Sequence, residues 1–173
     1  MKRSFVVCSL ALALFAIGSA QKTGEPTVAN FAGTWELELG KSALAQTRGP
    51  KITAQTLTIA QDAKTITVAA DTKVEGDMAV PANSRTYNLD GSESAGEFKM
   101  MQRSAPAKLK AKAMDGGKLE LSVAATIDGP MGAMDIKQTE TLELADGGKT
   151  LKVVRSRTTP RGAEESGLVF IKK

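Results

Sequence analysis

From Thr34 onward, hydrophobic residues recur at every second position in run after run. In the first run, Trp35, Leu37 and Leu39 alternate with Thr34, Glu36 and Glu38. A period of two belongs to the extended strand, whose successive side chains point to opposite faces. Leu57 and Ile59 form the next such pair, and Ile66, Val68 and Ala70 the next stripe. Leu119, Leu121, Val123, Ala125 and Ile127 make the longest stripe, followed by Leu142 with Leu144 and Leu151 with Val153. The last stretch is apolar at four successive positions, so either Leu168 and Phe170 or Val169 and Ile171 face inward. Thr and Val at these sites also suit a pleated, half-buried surface.

Turn-forming residues separate the runs. Asp62-Ala63-Lys64, Asp90-Gly91, Asp115-Gly116-Gly117 and Asp146-Gly147-Gly148 mark tight turns, because Gly accepts positive φ at little cost. Glu75-Gly76-Asp77 and Asp128-Gly129-Pro130 mark looser connections, and Lys41 to Thr47 suits a turn or short helix closed by Gly49-Pro50. Many short strands at this spacing predict an all-β fold. The expectation is a single antiparallel barrel of about 8–10 strands, with a β-sandwich as the alternative. A barrel has the advantage of leaving no exposed strand edge.

The first twenty residues follow a different logic. Lys2 and Arg3 give a positive start, Phe5 to Ile17 is apolar except for Ser9, and Gly18-Ser19-Ala20 supplies small residues. These are the three parts of a secretory signal peptide. The apolar run is shorter than the roughly 20 residues of a membrane span. The expected organisation is a signal peptide over 1–20, a flexible lead-in over 21–30 and a barrel over 31–173, in a periplasmic or secreted protein with no membrane span after cleavage. Cys8 precedes most of the apolar run, so it is misplaced for lipidation and leaves with the signal. It is the one cysteine, so the mature chain has no disulfide. Removing Lys2 and Arg3 leaves 21 basic residues against 19 acidic ones, a net charge near +2 rather than +4. Arg155, Arg157 and Arg161 form a loose cluster, but aromatic residues are few, which argues against nucleic-acid binding. The expected state is a monomer.

Four short motifs carry a family likeness. Gly33-Thr34-Trp35 opens the first strand, Tyr87-Asn88-Leu89-Asp90-Gly91 lies near the middle, and Thr159-Pro160-Arg161-Gly162 precedes Leu168-Val169-Phe170. The chain thereby resembles lipocalin-like exported bacterial proteins. That resemblance implies a barrel and a small apolar ligand. Independently of it, a tryptophan at the start of the first strand suits the closed end of a barrel, where its ring covers apolar area. Gly33 beside it allows close packing or a bend.

The chain has no histidine, and its mature part has no cysteine. This removes the commonest general base, the thiol nucleophile and the usual zinc ligands. No paired-carboxylate motif, phosphate-cradling loop or nucleophile elbow is present, so the expectation is no enzyme, no metal and no cofactor. One hairpin stands out. If Leu142 and Leu144 face inward, alternation also turns Glu140, Gln138 and Ile136 inward. On the return strand, Leu151 and Val153 bring Arg155 and Arg157 with them. A four-residue loop from Asp146 to Lys149 sets Leu144 opposite Leu151, Leu142 opposite Val153, Glu140 opposite Arg155 and Gln138 opposite Arg157. Arg157 then has only a neutral partner. Its fork suits a carboxylate, so Arg157 with Arg155, Glu140 and Gln138 are the candidate ligand-binding residues for an anionic, fatty-acid-like molecule. A solvated rim, or a bulge that turns these residues outward, is the alternative. Ala70, Ala111, Ala113 and Ala125 either leave a cavity, accommodate larger neighbours or face outward. Met78, Met100, Met101, Met131 and Met134 lie near loops or strand ends, where they suit an adaptable mouth or ordinary gap-filling. A filled core acting through its outer surface is the competing function.

Overall fold

The computed structural model describes residues 27–45, 51–76, 80–100, 103–129, 132–160 and 162–173. The signal peptide with Cys8, the lead-in up to residue 26, Gly49-Pro50, Asp77, Met78, Met101, Pro130, Met131 and Arg161 lie outside the described residues. Ten strands are present: β1 (Gly33–Leu37), β2 (Ile52–Gln61), β3 (Thr65–Val74), β4 (Asn83–Asn88), β5 (Ser94–Met100), β6 (Arg103–Ala113), β7 (Leu119–Gly129), β8 (Gly132–Ala145), β9 (Thr150–Thr159) and β10 (Gly162–Lys172). They form one antiparallel sheet in the order β4-β3-β2-β1-β10-β9-β8-β7-β6-β5. A single continuous sheet excludes the sandwich. The sheet curls until its two end strands, β4 and β5, face each other, giving a nearly closed barrel. No backbone ladder joins these two strands. The Asp90-Gly91 turn connects them, and the Ser94 hydroxyl donates to the Thr86 carbonyl at 2.9 Å beside it.

The Asp-containing turns β2–β3, β4–β5, β6–β7 and β8–β9 gather at one end, the floor. Asp62 caps the β2–β3 turn, its Oδ1 accepting the backbone N–H of Lys64 and of Thr65, both at 2.7 Å. These bonds hold its carboxyl below the usual carboxylate range. Asp146-Gly147-Gly148 makes a left-handed turn, with Asp146 at φ 51°, Gly147 at φ 63° and Gly148 at φ 85°, and the two glycines adopt these values at little cost. Ala145 pairs with Thr150, so the loop is the four residues expected.

The floor is packed solid. Trp35, Phe31, Phe170, Leu151 and Leu119 are all completely buried there. The Trp35 indole N–H donates to the Phe31 carbonyl at 3.0 Å, so the ring's polar edge is satisfied in the core. Gly33 makes this possible at φ 143°. The space a Cβ would need is taken by the Lys172 stem, 2.9 Å away, which carries its ammonium to 5.1 Å from the Trp35 ring centre. The described end of the lead-in is pinned rather than free. Gln61 donates to the Ala29 carbonyl and accepts from the Phe31 N–H, and the Ala29 N–H reaches the Gly117 carbonyl. Polarity alone suggested flexibility here, but both backbone groups of Ala29 find partners on neighbouring turns.

Two expectations shift in detail. The helical turn falls on Leu39–Lys41 rather than 41–47, and Ala43 then exchanges backbone hydrogen bonds with Gly167 of β10. In β10, Leu168 and Phe170 are the inward pair, because Leu168 lies opposite the buried Val153 and Phe170 opposite Leu151.

Candidate functional site

The β8–β9 hairpin has the register its turn dictates. Leu144 faces Leu151, Leu142 faces Val153, Glu140 faces Arg155 and Gln138 faces Arg157, with no bulge between them. Leu142, Leu151 and Val153 belong to the packed floor, and the polar residues come next toward the opposite rim. Arg155 Nε donates to Glu140 Oε1 at 2.7 Å, with the side chains 20% and 13% exposed. Arg157 grips Gln138 Oε1 through Nε at 3.1 Å and through a terminal nitrogen at 2.8 Å. Gln138 is buried, and its Nε2 donates to Glu140 Oε1 at 3.0 Å, which links the two pairs. The four residues therefore form one inward-facing chain of hydrogen bonds, which excludes an outward-turning bulge.

The opposite wall adds residues that alternation did not single out. Arg85 of β4 lies opposite the partly buried Val68 of β3, and this pairing turns it inward. Its guanidinium carbon sits 5.4 Å from the centre of the buried Phe98 ring, and that of Arg157 sits 5.9 Å from the same centre. Both distances suit a cation resting on an aromatic face. Phe98 is on β5 and Arg85 on β4, so this stack spans the seam that the backbone leaves unpaired. Gln55 of β2 is buried and donates to the Thr72 hydroxyl at 2.8 Å. Among the described residues, two buried side-chain atoms have no hydrogen-bond partner: Arg85 Nε and Gln55 Oε1.

These residues surround a cavity of about 190 Å³ in the half of the barrel away from the floor. Leu57, Val68, Ala70 and Phe98 give it an apolar side, while Gln55, Arg85, Gln138, Glu140, Arg155 and Arg157 give it a polar one. Of the alanines considered from sequence, Ala70 lines the cavity, whereas Ala111 and Ala125 are buried in the packed interior. Three guanidinium groups thus share the cavity with one carboxylate. Burial works against charge on Glu140, but the bonded Arg155, then Arg85 and Arg157, outweigh it and hold the carboxyl below its ordinary range. Burial and then the like charge of Arg155 lower the Arg157 guanidinium, against the pull of Glu164 and Glu140. It stays charged all the same, because a guanidinium does not lose its proton in a protein. Burial, followed by the negative charge of Glu140, pushes the Tyr87 hydroxyl up to about 12. Lys99, also at the wall, is engaged by Glu97 at 3.4 Å.

The arrangement offers donors and positive charge in a partly dry space, with an apolar surface beside them. It presents no nucleophile–base pair, and among the described residues no cluster of three or more acidic, His or Cys side chains is placed to hold a metal. No helix of the described residues is long and apolar enough to cross a membrane.

No family model matches the chain, and no curated protein matches it. Among solved structures, a zebrafish ileal bile acid-binding protein complexed with cholic acid is similar over 83% of this chain and 98% of that one, at 17% identity and a TM-score of 0.47.

Proposed function

We propose that this chain is an exported, non-catalytic carrier or receptor that takes a compact acid into the upper half of its barrel. One observation carries the reading: a partly buried cavity whose wall holds three arginines against a single glutamate. Uncompensated buried charge costs several kcal/mol per ion, and a bound anion offsets that cost. Arg155 already has Glu140, so Arg157, whose hydrogen bonds go to the neutral Gln138, is the first contact for the acid group. The 190 Å³ volume narrows the ligand. It falls below the roughly 300–1,000 Å³ of pockets for drug-sized molecules, and slightly above the roughly 150 Å³ cavity that takes up benzene. The ligand is therefore an acid about one ring in size, rather than a long fatty-acid chain. Export rests on the charged start, apolar run and small-residue exit of residues 1–20.

Benzoate is the direct probe. Calorimetric titration should detect saturable binding, and Arg157→Ala should weaken it by about tenfold or more, the range for losing a charge-assisted hydrogen bond. Unchanged benzoate affinity in that variant refutes the reading. The modest cavity volume favours a second reading, a barrel whose polar interior only orders its own core. In that case neither benzoate nor other small acids bind at all.

A further inference from the structure

The two buried atoms without partners differ in kind, and both belong to side chains lining the same cavity. Arg85 Nε is a donor that needs an acceptor, and Gln55 Oε1 is an acceptor that needs a donor. Leaving either unmet costs about as much as a broken buried hydrogen bond. The acid group of a ligand answers the first together with the neighbouring Arg157. It does nothing for the second. Gln55 is fixed on β2, paired with Thr72, at the end of the cavity remote from the floor, and Leu57, one inward position nearer the floor, is apolar. The amide, with its Thr72 partner, therefore stands beyond an apolar stretch of Leu57 and Ala70.

Resting on the acid-binding reading above, we propose that the ligand is a hydroxy acid: its carboxylate is met by Arg157 and Arg85, and its hydroxyl by Gln55. A hydroxyl fits this amide better than any other group. It donates to Oε1 as the side chain stands, and it accepts from Nε2 if the amide is turned so that the Thr72 hydroxyl donates to Oε1 instead. A ligand with only an acceptor at that end meets one of these arrangements, and a purely apolar end meets neither. Gln55 is then the residue that sets specificity, and Arg85, contributed from the edge of the seam, is a second anchor for the acid.

The test compares benzoate with 2-, 3- and 4-hydroxybenzoate, whose hydroxyls stand at three distances from the same acid group. One isomer should bind at least about tenfold more tightly than benzoate, the effect of satisfying one buried polar atom. Gln55→Leu should bring that ratio to within about twofold of unity, with folding checked by the Trp35 emission. If benzoate binds as well as every isomer, the hydroxyl requirement is wrong while the acid-binding reading stands. If the preferred isomer keeps its advantage in Gln55→Leu, the assignment to Gln55 is wrong. If none of the four acids binds, both readings fall. Should Gln55→Leu not fold, the ratios in the unaltered protein still decide the hydroxyl requirement, and Gln55→Met tests the assignment to Gln55 by the same comparison.

Discussion

Replacing Glu140 with glutamine tests the electrostatic core of this barrel most directly. The substitution keeps shape and an acceptor oxygen for Arg155 and Gln138, and removes only the negative charge. Three guanidiniums then line the cavity with no carboxylate among its lining residues. Breaking a buried ion pair by neutralising one partner costs about 3–5 kcal/mol. Glu140 and Arg155 keep 13% and 20% of their side-chain exposure, and the hydrogen bonds survive in neutral form, so about 2–3 kcal/mol is the expected loss here. For a domain of this size that lowers Tm by about 4–12 °C. Urea unfolding at neutral pH, followed by the Trp35 emission, measures it. The pH dependence supplies a second, independent sign. The folded-state value of Glu140 lies below its ordinary 4.5. Its contribution is therefore complete above the unfolded value and is lost as pH falls through the lower folded one. The unaltered protein should lose that increment on acidification, and Glu140→Gln should show a shallower acid limb. A variant within about 0.5 kcal/mol of the unaltered protein, with the same acid limb, would refute the idea that the arginines depend on this carboxylate.

Two further outcomes follow from the geometry. Tyr87 is the one tyrosine of the chain, so absorbance near the phenolate band reports it alone, and it should titrate near pH 12 in the folded state rather than 10. Because the unfolded chain loses this proton first, stability should decline as pH rises from 10 towards 12; ionisation at an ordinary pH in folded protein would show that Tyr87 is not shielded. Gly96→Ala should cost about 1–3 kcal/mol, because the new methyl would clash with a Leu109 methyl, and Leu109→Ala added to it should restore less than its own cavity removes. Gly96→Ala unfolding at the same urea concentration as the unaltered protein would show that Leu109 has room to swing aside.

Much of this architecture was legible wherever two signals agreed. In the β8–β9 hairpin, a turn of definite length sits between two unambiguous stripes, so a single register satisfies both, and the Glu140–Arg155 and Gln138–Arg157 pairings follow from it. Legibility failed where a strand carries few large apolar residues. Asn83–Asn88 offers only Tyr87 as an inward marker, so Arg85 gave no sign of facing the cavity until its pairing with Val68 was known. The inward row of β6 is Ala105, Ala107, Leu109 and Ala111, with a single large side chain among alanines, and such a row has little periodic contrast. In β10 the difficulty was the reverse, since both faces are apolar near its end and only the partner strand decides between them. Gln55 was silent for a different reason. A buried amide with one free atom is defined by its surroundings, and nothing local to Thr-Ala-Gln-Thr-Leu announces it.

The order of strands around the barrel also says where the chain entropy of folding is concentrated. Nine pairings hold the ten strands, and eight of them join strands consecutive in the chain. Each of these closes only a short loop. The ninth, β1 with β10, brings Trp35 beside Lys172, almost the whole described length of the chain apart. Loop closure grows costlier with separation, if only logarithmically, so this contact carries the largest single share of the closure cost. The seam lies elsewhere, between β4 and β5, where the chain is continuous through a tight turn. The molecule is thus covalently closed where its hydrogen bonding is open, and hydrogen-bonded where its covalent chain is open, so that neither gap is left without a tether.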